Sequence, residues 1–381
     1  MKKVQYIWAV AFLLVLAPSL QAQFNTLHSF SGTPADGKWP QGSLVLKGFT
    51  LYGMTCQGGA LDVGTVFRIS VNGTGYAPLH TFTGITSDGA SPTYASLVLY
   101  GSTLYGMTSA GGAKGGGTVF KINVNGTGFK VLHSFDGAPY GSLTLRGTTL
   151  YGVTQYGGAA NWGTIFKINL SGTGFKVLHS FGVGADGYGP CGVLKYAGTK
   201  FYGMTMRGGA AGQGIIYKIN PDGTGYAPLH SFTGGALDGA RPYYNNSFVA
   251  IGSVLYGMTV EGGANDRGTI FKINVNGTGF AVLHSFGSGA ADGRYPYGSL
   301  TLVGNALYGM TRYDGVGYNG TIFRINTDGL GFGLVLTFGP GSNPYGTLIR
   351  KVSTTYGDML YGVASEGGDY NYGIIFSYKL K

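Results

Sequence analysis

Residues 51–82 read LYGMTCQGGALDVGTVFRISVNGTGYAPLHTF, and closely related stretches recur along the chain. Six copies of the closing motif, Leu-His-Ser/Thr-Phe, contain all six histidines, and a seventh copy has Leu336 in the place of the histidine. From His28 to Leu336 the mean spacing is (336 − 28)/6, about 51 residues. A fixed period of this kind is typical of repeat folds such as propellers and solenoids.

Three further motifs recur with the same period. Leu/Phe-Tyr-Gly and Gly-Thr/Ile-Val/Ile-Phe/Tyr each occur seven times, and a weaker Ser-Leu motif is clearest at Ser43, Ser96, Ser142 and Ser299. Each motif is a short run of β-branched and aromatic residues between Gly, Asn or Asp, which indicates a strand. Tight Asn-Gly turns, as at Asn72-Gly73, favour hairpins over the coils of a solenoid. The pattern predicts an all-β seven-bladed β-propeller with four antiparallel strands per blade.

We name the Ser-Leu, Tyr-Gly, Gly-Thr-Val-Phe and Leu-His-Ser-Phe strands A, B, C and D, with A innermost. The B–C connection has the same nine-residue spacing in every repeat, as from Thr55 to Gly64. Nearly all length variation falls between strand D and the next strand A, which is typical of a surface loop. The D–A and B–C loops should share one face, and we expect any functional site on that face.

The order of the motifs also predicts how the ring closes. The first motif of the chain is a D strand, residues 24–30, and the last is a C strand, residues 373–378. The N-terminal strand should therefore complete the seventh blade. Closure of this kind removes exposed sheet edges, which would otherwise promote aggregation.

The first residues are typical of an export signal. Lys2 and Lys3 precede an apolar run over about 7–17, and Ala22 ends a plausible cleavage site. An N-terminal anchor is the alternative, but the run is shorter than the roughly 20 residues that span a bilayer. We expect a signal peptide over 1–22 and a single propeller domain over 23–381, as a secreted or periplasmic monomer without a membrane span.

Composition narrows the classes of function. The net charge is +10, but Lys and Arg are scattered, so nucleic-acid binding is not favoured. A basic exported protein could meet acidic polysaccharide, or the charge could reflect only a thinly charged surface. Glycine reaches 73 of 381 residues and charged residues only 10%, which suits short strands joined by turns rather than disorder. Whether Cys56 and Cys191 pair is left open.

The repeat as a whole, with Leu-His-Ser-Phe, Asp-Gly, Leu-Tyr-Gly-Met-Thr, Gly-Gly, Gly-Thr-Val-Phe-Lys-Ile-Asn and Asn-Gly-Thr-Gly, resembles the GloVer-type tandem repeat of "choice-of-anchor" exported bacterial proteins. The resemblance covers about 24–378. It implies an exported, propeller-forming surface or secreted protein, and it transfers no catalytic motif. Many members end in an anchoring tail; none is seen here, which favours free secretion or the periplasm.

Residues that break the sevenfold symmetry are the candidates for a single site. The residue before Gly-Gly in the B–C loop reads, around the ring, Gln57, Ala110, Tyr156, Arg207, Glu261, Tyr313 (followed by Asp314) and Glu366. Glu261 and Glu366 are the only glutamates, and paired carboxylates could act as acid and base in glycoside hydrolysis. We take Glu261, Glu366, Arg207 and Tyr156 as candidate catalytic residues. The alternative is an exposed loop position that is free to vary.

A second ring of positions begins strand A after the loop proline. It reads Gln41, Thr93, Tyr140, Cys191, Tyr243, Tyr297 and Tyr345, and it should surround the mouth of the central channel. Tyrosines there could stack on sugar rings or could simply plug the channel. The predicted ligand-binding residues are Gln57, Tyr140, Tyr156, Arg207, Tyr243, Glu261, Tyr297, Tyr313, Asp314, Tyr345 and Glu366.

The repeated histidines, aspartates and Tyr-Gly pairs are interpreted structurally. One histidine per blade cannot share a metal with its equivalents, because ligands must lie within about 2.1 Å of the ion. We therefore predict packing or hydrogen bonding for the histidines, turn chemistry for Asp-Gly, blade-to-blade packing for Tyr-Gly, and no metal or cofactor.

Three functions remain open. The favoured one is a binding or scaffold module on the cell exterior that recognises polysaccharide or cell-surface glycan, with near-identical blades giving multivalent weak binding. The second is a secreted carbohydrate-active enzyme, a hydrolase or a lyase, that uses the symmetry-breaking residues. The third is a purely structural interaction module. The sequence does not decide whether the protein is an enzyme.

Overall fold

The structure is a computed structural model that describes residues 23–243, 246–289, 292–314, 318–352 and 357–380. The predicted signal peptide over 1–22 lies outside the described residues. Seven antiparallel sheets, each with four blade strands, form a ring, so the predicted seven-bladed β-propeller is confirmed. No helix in the described part of the chain is long and apolar enough to span a membrane.

The blade strands follow the four motifs. From blade 1 to blade 7, strand A comprises Val45–Lys47, Val98–Tyr100, Thr144–Arg146, Tyr188–Ala197, Val249–Ile251, Gly293–Val303 and Pro344–Lys351. Strand B comprises Thr50–Thr55, Thr103–Thr108, Thr149–Thr154, Lys200–Arg207, Val254–Thr259, Ala306–Asp314 and Met359–Ala364. Strand C comprises Thr65–Ser70, Thr118–Asn123, Thr164–Asn169, Ile215–Ile219, Thr269–Asn274, Thr321–Asn326 and Ile374–Lys379. Strand D comprises Ala77–Thr81, Lys130–Ser134, Lys176–Ser180, Ala227–Ser231, Ala281–Ser285, Gly333–Thr337 and Phe24–Ser29.

Short elements in the loops complete the fold. Two-residue strands join the D–A and B–C loops of a blade, and they pair Gly37–Lys38 with Gln57–Gly58, Gly89–Ala90 with Ala110–Gly111, and Gly239–Ala240 with Glu261–Gly262. Gly141–Ser142 pairs in parallel with strand A of blade 4, and Gly184–Asp186 forms one 3-10 turn.

The N-terminal strand closes the ring as predicted. It lies antiparallel to strand C of blade 7, with Phe24 opposite Tyr378 and Ser29 opposite Ile374. The Phe30 amide extends the ladder by donating to the Gly373 carbonyl at 2.9 Å. Blade 7 is therefore built from two distant parts of the chain.

The core consists of hydrophobic clusters between neighbouring blades. In the cluster between blades 1 and 2, buried Tyr52 and Met54 lie among Leu97, Leu104 and Phe120. The tyrosine of the Tyr-Gly pair thus packs between blades, as predicted.

The glycine of the Tyr-Gly pair lets an aromatic ring approach closely, but within its own blade rather than between blades as predicted. Gly53 pairs with Phe67 of strand C in its own blade, and a Cβ on Gly53 would lie 2.5 Å from Phe67 Cζ. The glycine therefore makes room for an aromatic ring within the blade.

The repeated histidines link the blades through stacking and hydrogen bonds. His80 stacks on Phe129 of the next blade, with ring centroids 3.8 Å apart. Its Nε2 lies 3.0 Å from Oδ1 of Asp88. Oδ1 also accepts from the Gly89 amide, and Oδ2 accepts from the Thr83 amide. The same histidine–aspartate pair forms at His28–Asp36, His179–Asp186, His230–Asp238 and His284–Asp292. The aspartates therefore fix the D–A loop to strand D.

The two cysteines are free thiols. Cys56 in the B–C loop of blade 1 and Cys191 in strand A of blade 4 are both buried. Each Sγ donates to a carbonyl, that of Trp39 at 3.0 Å and that of Pro242 at 2.9 Å. The open question of pairing is thus decided against a disulfide.

Candidate functional site

The D–A and B–C loops form one continuous face. Within blade 5, the short strands place Ala240 opposite Glu261. Between blades, the Tyr295 amide donates to the Arg267 carbonyl at 2.8 Å, and the Arg241 amide donates to the Gln213 carbonyl at 2.8 Å. Each D–A loop is thus held both by its own blade and by the preceding one.

A cavity of about 320 Å³ lies on this face at the junction of blades 5 and 6. Its walls are formed by Tyr243, Val260, Glu261, Tyr295, Tyr297, Arg312 and Tyr313. Four of these were predicted as ligand-binding residues, namely Tyr243, Glu261, Tyr297 and Tyr313. Its volume is at the lower end of the roughly 300–1,000 Å³ found for small-molecule sites.

Arg312 lines the cavity although the sequence analysis did not single it out. It follows the last threonine of strand B, one position before the loop residues compared above, and its equivalents are Cys56, Ser109, Gln155, Met206, Val260 and Ser365. Those equivalents carry no charge, and several use their side chains within their own blade, as Ser365 Oγ does in donating to the Asn343 carbonyl at 3.2 Å. A comparison of the seven repeats at the position one residue earlier would have singled out Arg312, because it alone is charged there.

Three tyrosines surround the Arg312 guanidinium. Its Cζ lies 5.0 Å from the ring centroid of Tyr313, 5.7 Å from that of Tyr345 and 5.9 Å from that of Tyr297. Burial alone would lower the pKa of Arg312, but Tyr345, Tyr313 and Tyr297 outweigh it and raise the pKa. The side chain is therefore a fixed cation in the wall of the cavity.

Glu261 lies in the same cavity, and its charge is already paired. The carboxylate accepts a hydrogen bond from Arg241 Nη1 at 3.1 Å, and both side chains are partly exposed. Arg241 belongs to the D–A loop before strand A of blade 5, so the pair joins the two loops of that blade. Glu261 is thus oriented toward Arg241 by a charged hydrogen bond.

The other candidate catalytic residues lie elsewhere than in the wall of this cavity. Glu366 accepts a hydrogen bond from Asn343 Nδ2 at 2.7 Å within blade 7. Arg207 is exposed at the end of strand B of blade 4, and Tyr156 is 46% exposed in blade 3. The predicted acid–base pair of Glu261 and Glu366 is therefore not assembled in the cavity.

The remaining predicted loop residues have structural partners. Gln57 pairs with Lys38 in a two-residue strand, and buried Asp314 accepts from Asn319 Nδ2 at 3.5 Å.

The predicted tyrosine ring at the channel mouth divides into two parts. Tyr243 and Tyr297 line the cavity, whereas Tyr345 is buried against Tyr297, with ring centroids 5.0 Å apart. Tyr94, one residue after the predicted Thr93, lies 6.1 Å from Tyr345 and 6.3 Å from Tyr140 between ring centroids. Part of the ring therefore plugs the channel mouth, and part remains available for a ligand.

The tyrosine hydroxyls of this region stay protonated at neutral pH. Burial raises the pKa of Tyr94 to about 12, and burial also raises the pKa of Tyr297 and of Tyr345. A protonated hydroxyl can both donate and accept a hydrogen bond. No cluster of three or more His, Cys, Asp or Glu suited to a metal ion occurs among the residues that the structure describes.

Similar solved structures confirm the type of fold. An oligogalacturonate lyase in complex with manganese aligns with a TM-score of 0.58 and 11% identity, over 94% of this chain and 96% of that chain. An oligogalacturonate lyase from Vibrio parahaemolyticus aligns with a TM-score of 0.54 and 8% identity, over 94% and 93%. A puromycin hydrolase aligns with a TM-score of 0.53 and 10% identity, over 91% of this chain and 52% of that chain. At these identities the similarity concerns the fold alone.

The sequence comparison identifies a family. No curated protein matches the chain. The family model of the Gloeobacter/Verrucomicrobia repeat matches residues 14–140, 137–249 and 236–381, which together cover nearly all of it. A repeat propeller of this kind is consistent with a binding or scaffold module. The chain belongs to the Gloeobacter/Verrucomicrobia repeat family.

Proposed function

We propose that this protein is an exported propeller that binds carbohydrate in the cavity between blades 5 and 6. The observation that carries the proposal is the wall of that cavity, where four tyrosines lie beside Arg312 and Glu261. A tyrosine offers an apolar face to the C–H groups of a sugar ring and a hydroxyl to its polar edge. The charged side chains add directed hydrogen bonds, which fix the orientation of a ligand.

One site, rather than seven equivalent sites, is the form of binding that we propose. The wall of the cavity contains Glu261 and Arg312. A second glutamate occupies the position of Glu261 only in blade 7, and no other blade has a charged residue at the position of Arg312. A titration should therefore give a stoichiometry near one, although the sequence repeat favours several weak sites.

The test is calorimetric titration of the purified protein with a panel of bacterial and plant oligosaccharides. We expect Tyr313→Ala to weaken binding at least tenfold, because it removes a wall of the cavity. Tyr100→Ala is the matched control, since Tyr100 is 47% exposed at the end of strand A of blade 2, next to the A–B turn and away from the loop face. A panel without any binding, or equal losses in both variants, would refute the proposal.

An enzyme is the second candidate, and the presence of Glu261 in the cavity is the observation that favours it. A carboxylate beside Arg241, with tyrosine hydroxyls nearby, provides groups that could move a proton on a bound sugar. A hydrolase that needs two carboxylates has less support, because Glu366 does not line the cavity. Release of product from the same panel, abolished by Glu261→Gln and unchanged by Glu366→Gln, would support an enzyme rather than a binding module.

Export is part of the proposal and is supported by the N-terminal sequence. Cleavage after Ala22 would leave Gln23 as the first residue of the mature chain. N-terminal sequencing of protein recovered outside the cytoplasm tests this, and an intact Met1 on that protein would contradict it.

A further inference from the structure

We infer that the sugar bound in the cavity carries a carboxylate, as a uronic acid does, and that Arg312 binds this group. The inference rests on the proposed carbohydrate site and names the class of its ligand. It follows from the charges in and around the cavity, from the absence of a carboxylate partner for Arg312 among the described residues, and from the way the tyrosines hold its guanidinium.

One positive charge in the wall of the cavity is not offset by a wall carboxylate. Arg241 offsets the single wall carboxylate, Glu261, and leaves the charge of Arg312 uncompensated within the wall. A carboxylate on the ligand would be attracted by this charge.

The carboxylates near the cavity have hydrogen-bond partners of their own, and Asp314 accepts from Asn319 Nδ2 at 3.5 Å. Asp266 Oδ1 accepts from the Gly262 amide at 2.8 Å, and Asp292 Oδ1 lies 3.0 Å from His284 Nε2. Among the described residues, none forms an ion pair with Arg312, whose Nε is buried without a hydrogen-bond partner. The charge of Arg312 is thus unpaired by any described carboxylate, because its side chain hydrogen-bonds the neutral hydroxyl of Tyr297 instead.

The setting of Arg312 suits recognition of a planar anion. Its guanidinium is held among the rings of Tyr297, Tyr313 and Tyr345, which limits its rotation without neutralising its charge. A guanidinium presents paired N–H donors whose geometry matches a carboxylate. Because the group is partly shielded from water, a charged hydrogen bond there is stronger than one at an exposed surface. A neutral sugar would leave these donors without an acceptor of matching charge.

The experiment compares matched acidic and neutral ligands. Short oligomers of galacturonate, of glucuronate and of mannuronate are titrated into the purified protein, each beside its carboxyl-reduced counterpart, which differs only in that CH2OH replaces COOH. At least one acidic oligomer should bind ten times more tightly than its reduced form. Arg312→Gln should weaken binding of the acidic oligomer at least ten times more than binding of its reduced form, which removes the preference. Arg324→Gln, an exposed arginine on strand C of the same blade, is the control and should keep the preference.

The outcomes separate this inference from the proposed function. Neutral and acidic oligomers that bind equally well would overturn the inference and leave the carbohydrate site standing. Binding of an acidic peptide as tight as that of the best uronide would show recognition of charge alone and would also overturn the inference. Failure of every oligosaccharide would refute both. If Arg312→Gln does not fold, Arg312→Lys serves instead, and it should lower the preference because Lys cannot form the paired hydrogen bonds.

Discussion

The backbone amide of Thr347 donates a 2.8 Å hydrogen bond to Oγ of Ser43, although the two residues lie 304 positions apart in the sequence. The Ser43 amide donates in turn to Ser96 Oγ, and the Ser96 amide to Ser142 Oγ, both at 2.8 Å. The Ser299 amide donates to Thr347 Oγ1 at 3.0 Å. The hydroxyl of the strand A motif therefore links its blade to the preceding blade around the channel.

We expect Ser43→Ala to lower the free energy of unfolding by about 1 kcal/mol, because the Thr347 amide loses its acceptor in a partly buried setting. Chemical denaturation followed by tryptophan fluorescence measures the change. Ser253→Ala, at an exposed A–B turn, should have little effect. Equal stability of Ser43→Ala and the parent protein would mean that this hydrogen bond does not contribute to closure of the ring.

The Gly53–Phe67 contact predicts a second destabilised variant. Since a Cβ on residue 53 would lie 2.5 Å from Phe67 Cζ, Gly53→Ala should cost about 1–3 kcal/mol by overpacking. Phe67→Leu should relieve part of this cost, so that the double variant loses less than the two single variants together. Gly333→Ala is the control, because no atom lies within 4 Å of its added Cβ. Strict additivity in the cycle would contradict the steric explanation.

The histidine–aspartate pairs predict a loss of stability in acid. Burial tends to raise the pKa of Asp88, but hydrogen bonds from His80 and Thr83 outweigh it and leave the pKa lowered. A carboxylate with a lowered pKa stabilises the fold above its unfolded value of about 3.9, and this stabilisation is lost as the pH falls through the folded pKa.

We expect Asp88→Asn to cost about 1–3 kcal/mol at pH 7 and to reduce the slope of unfolding free energy against pH below about 4. Denaturation at a series of pH values measures both. Asp136→Asn serves as the control, since Asp136 is exposed in the shortened D–A loop after blade 2. An acid profile that Asp88→Asn leaves unchanged would refute the role given to the pair.

Because both thiols are buried, we expect them to react slowly with thiol reagents in the folded protein. Burial raises the pKa of Cys56 to about 12 and also raises that of Cys191. The reactive thiolate is therefore scarce at pH 8, and labelling by a thiol reagent should be slow until denaturant is added, when two thiols should react. If the unreduced protein were lighter by two hydrogens and denaturant exposed no thiol to the reagent, the two cysteines would form a disulfide.

Much of the candidate site could be predicted from the sequence. Glu261 and Tyr313 were predicted because they depart from the repeat at a loop position with a constant register, and Tyr243 and Tyr297 because their position begins strand A at the channel mouth; all four line the cavity. Arg312 was missed because the comparison of the repeats began one residue later, and only the fold shows that its position faces the cavity. Glu366 does not line the cavity with Glu261, and sequence spacing carries no information on the distance between loops of different blades.

The sequence by itself determined the number of blades, the order of their strands, the closure by the first strand and the face that carries the variable loops. These follow from local physics, because each motif has the residue types and turns of a strand and recurs with a nearly constant period. Only the tertiary structure decided which loop residues meet. The meeting of Arg312 with Tyr345, and of Arg241 with Glu261, depends on how the inner strands and loops converge around the channel.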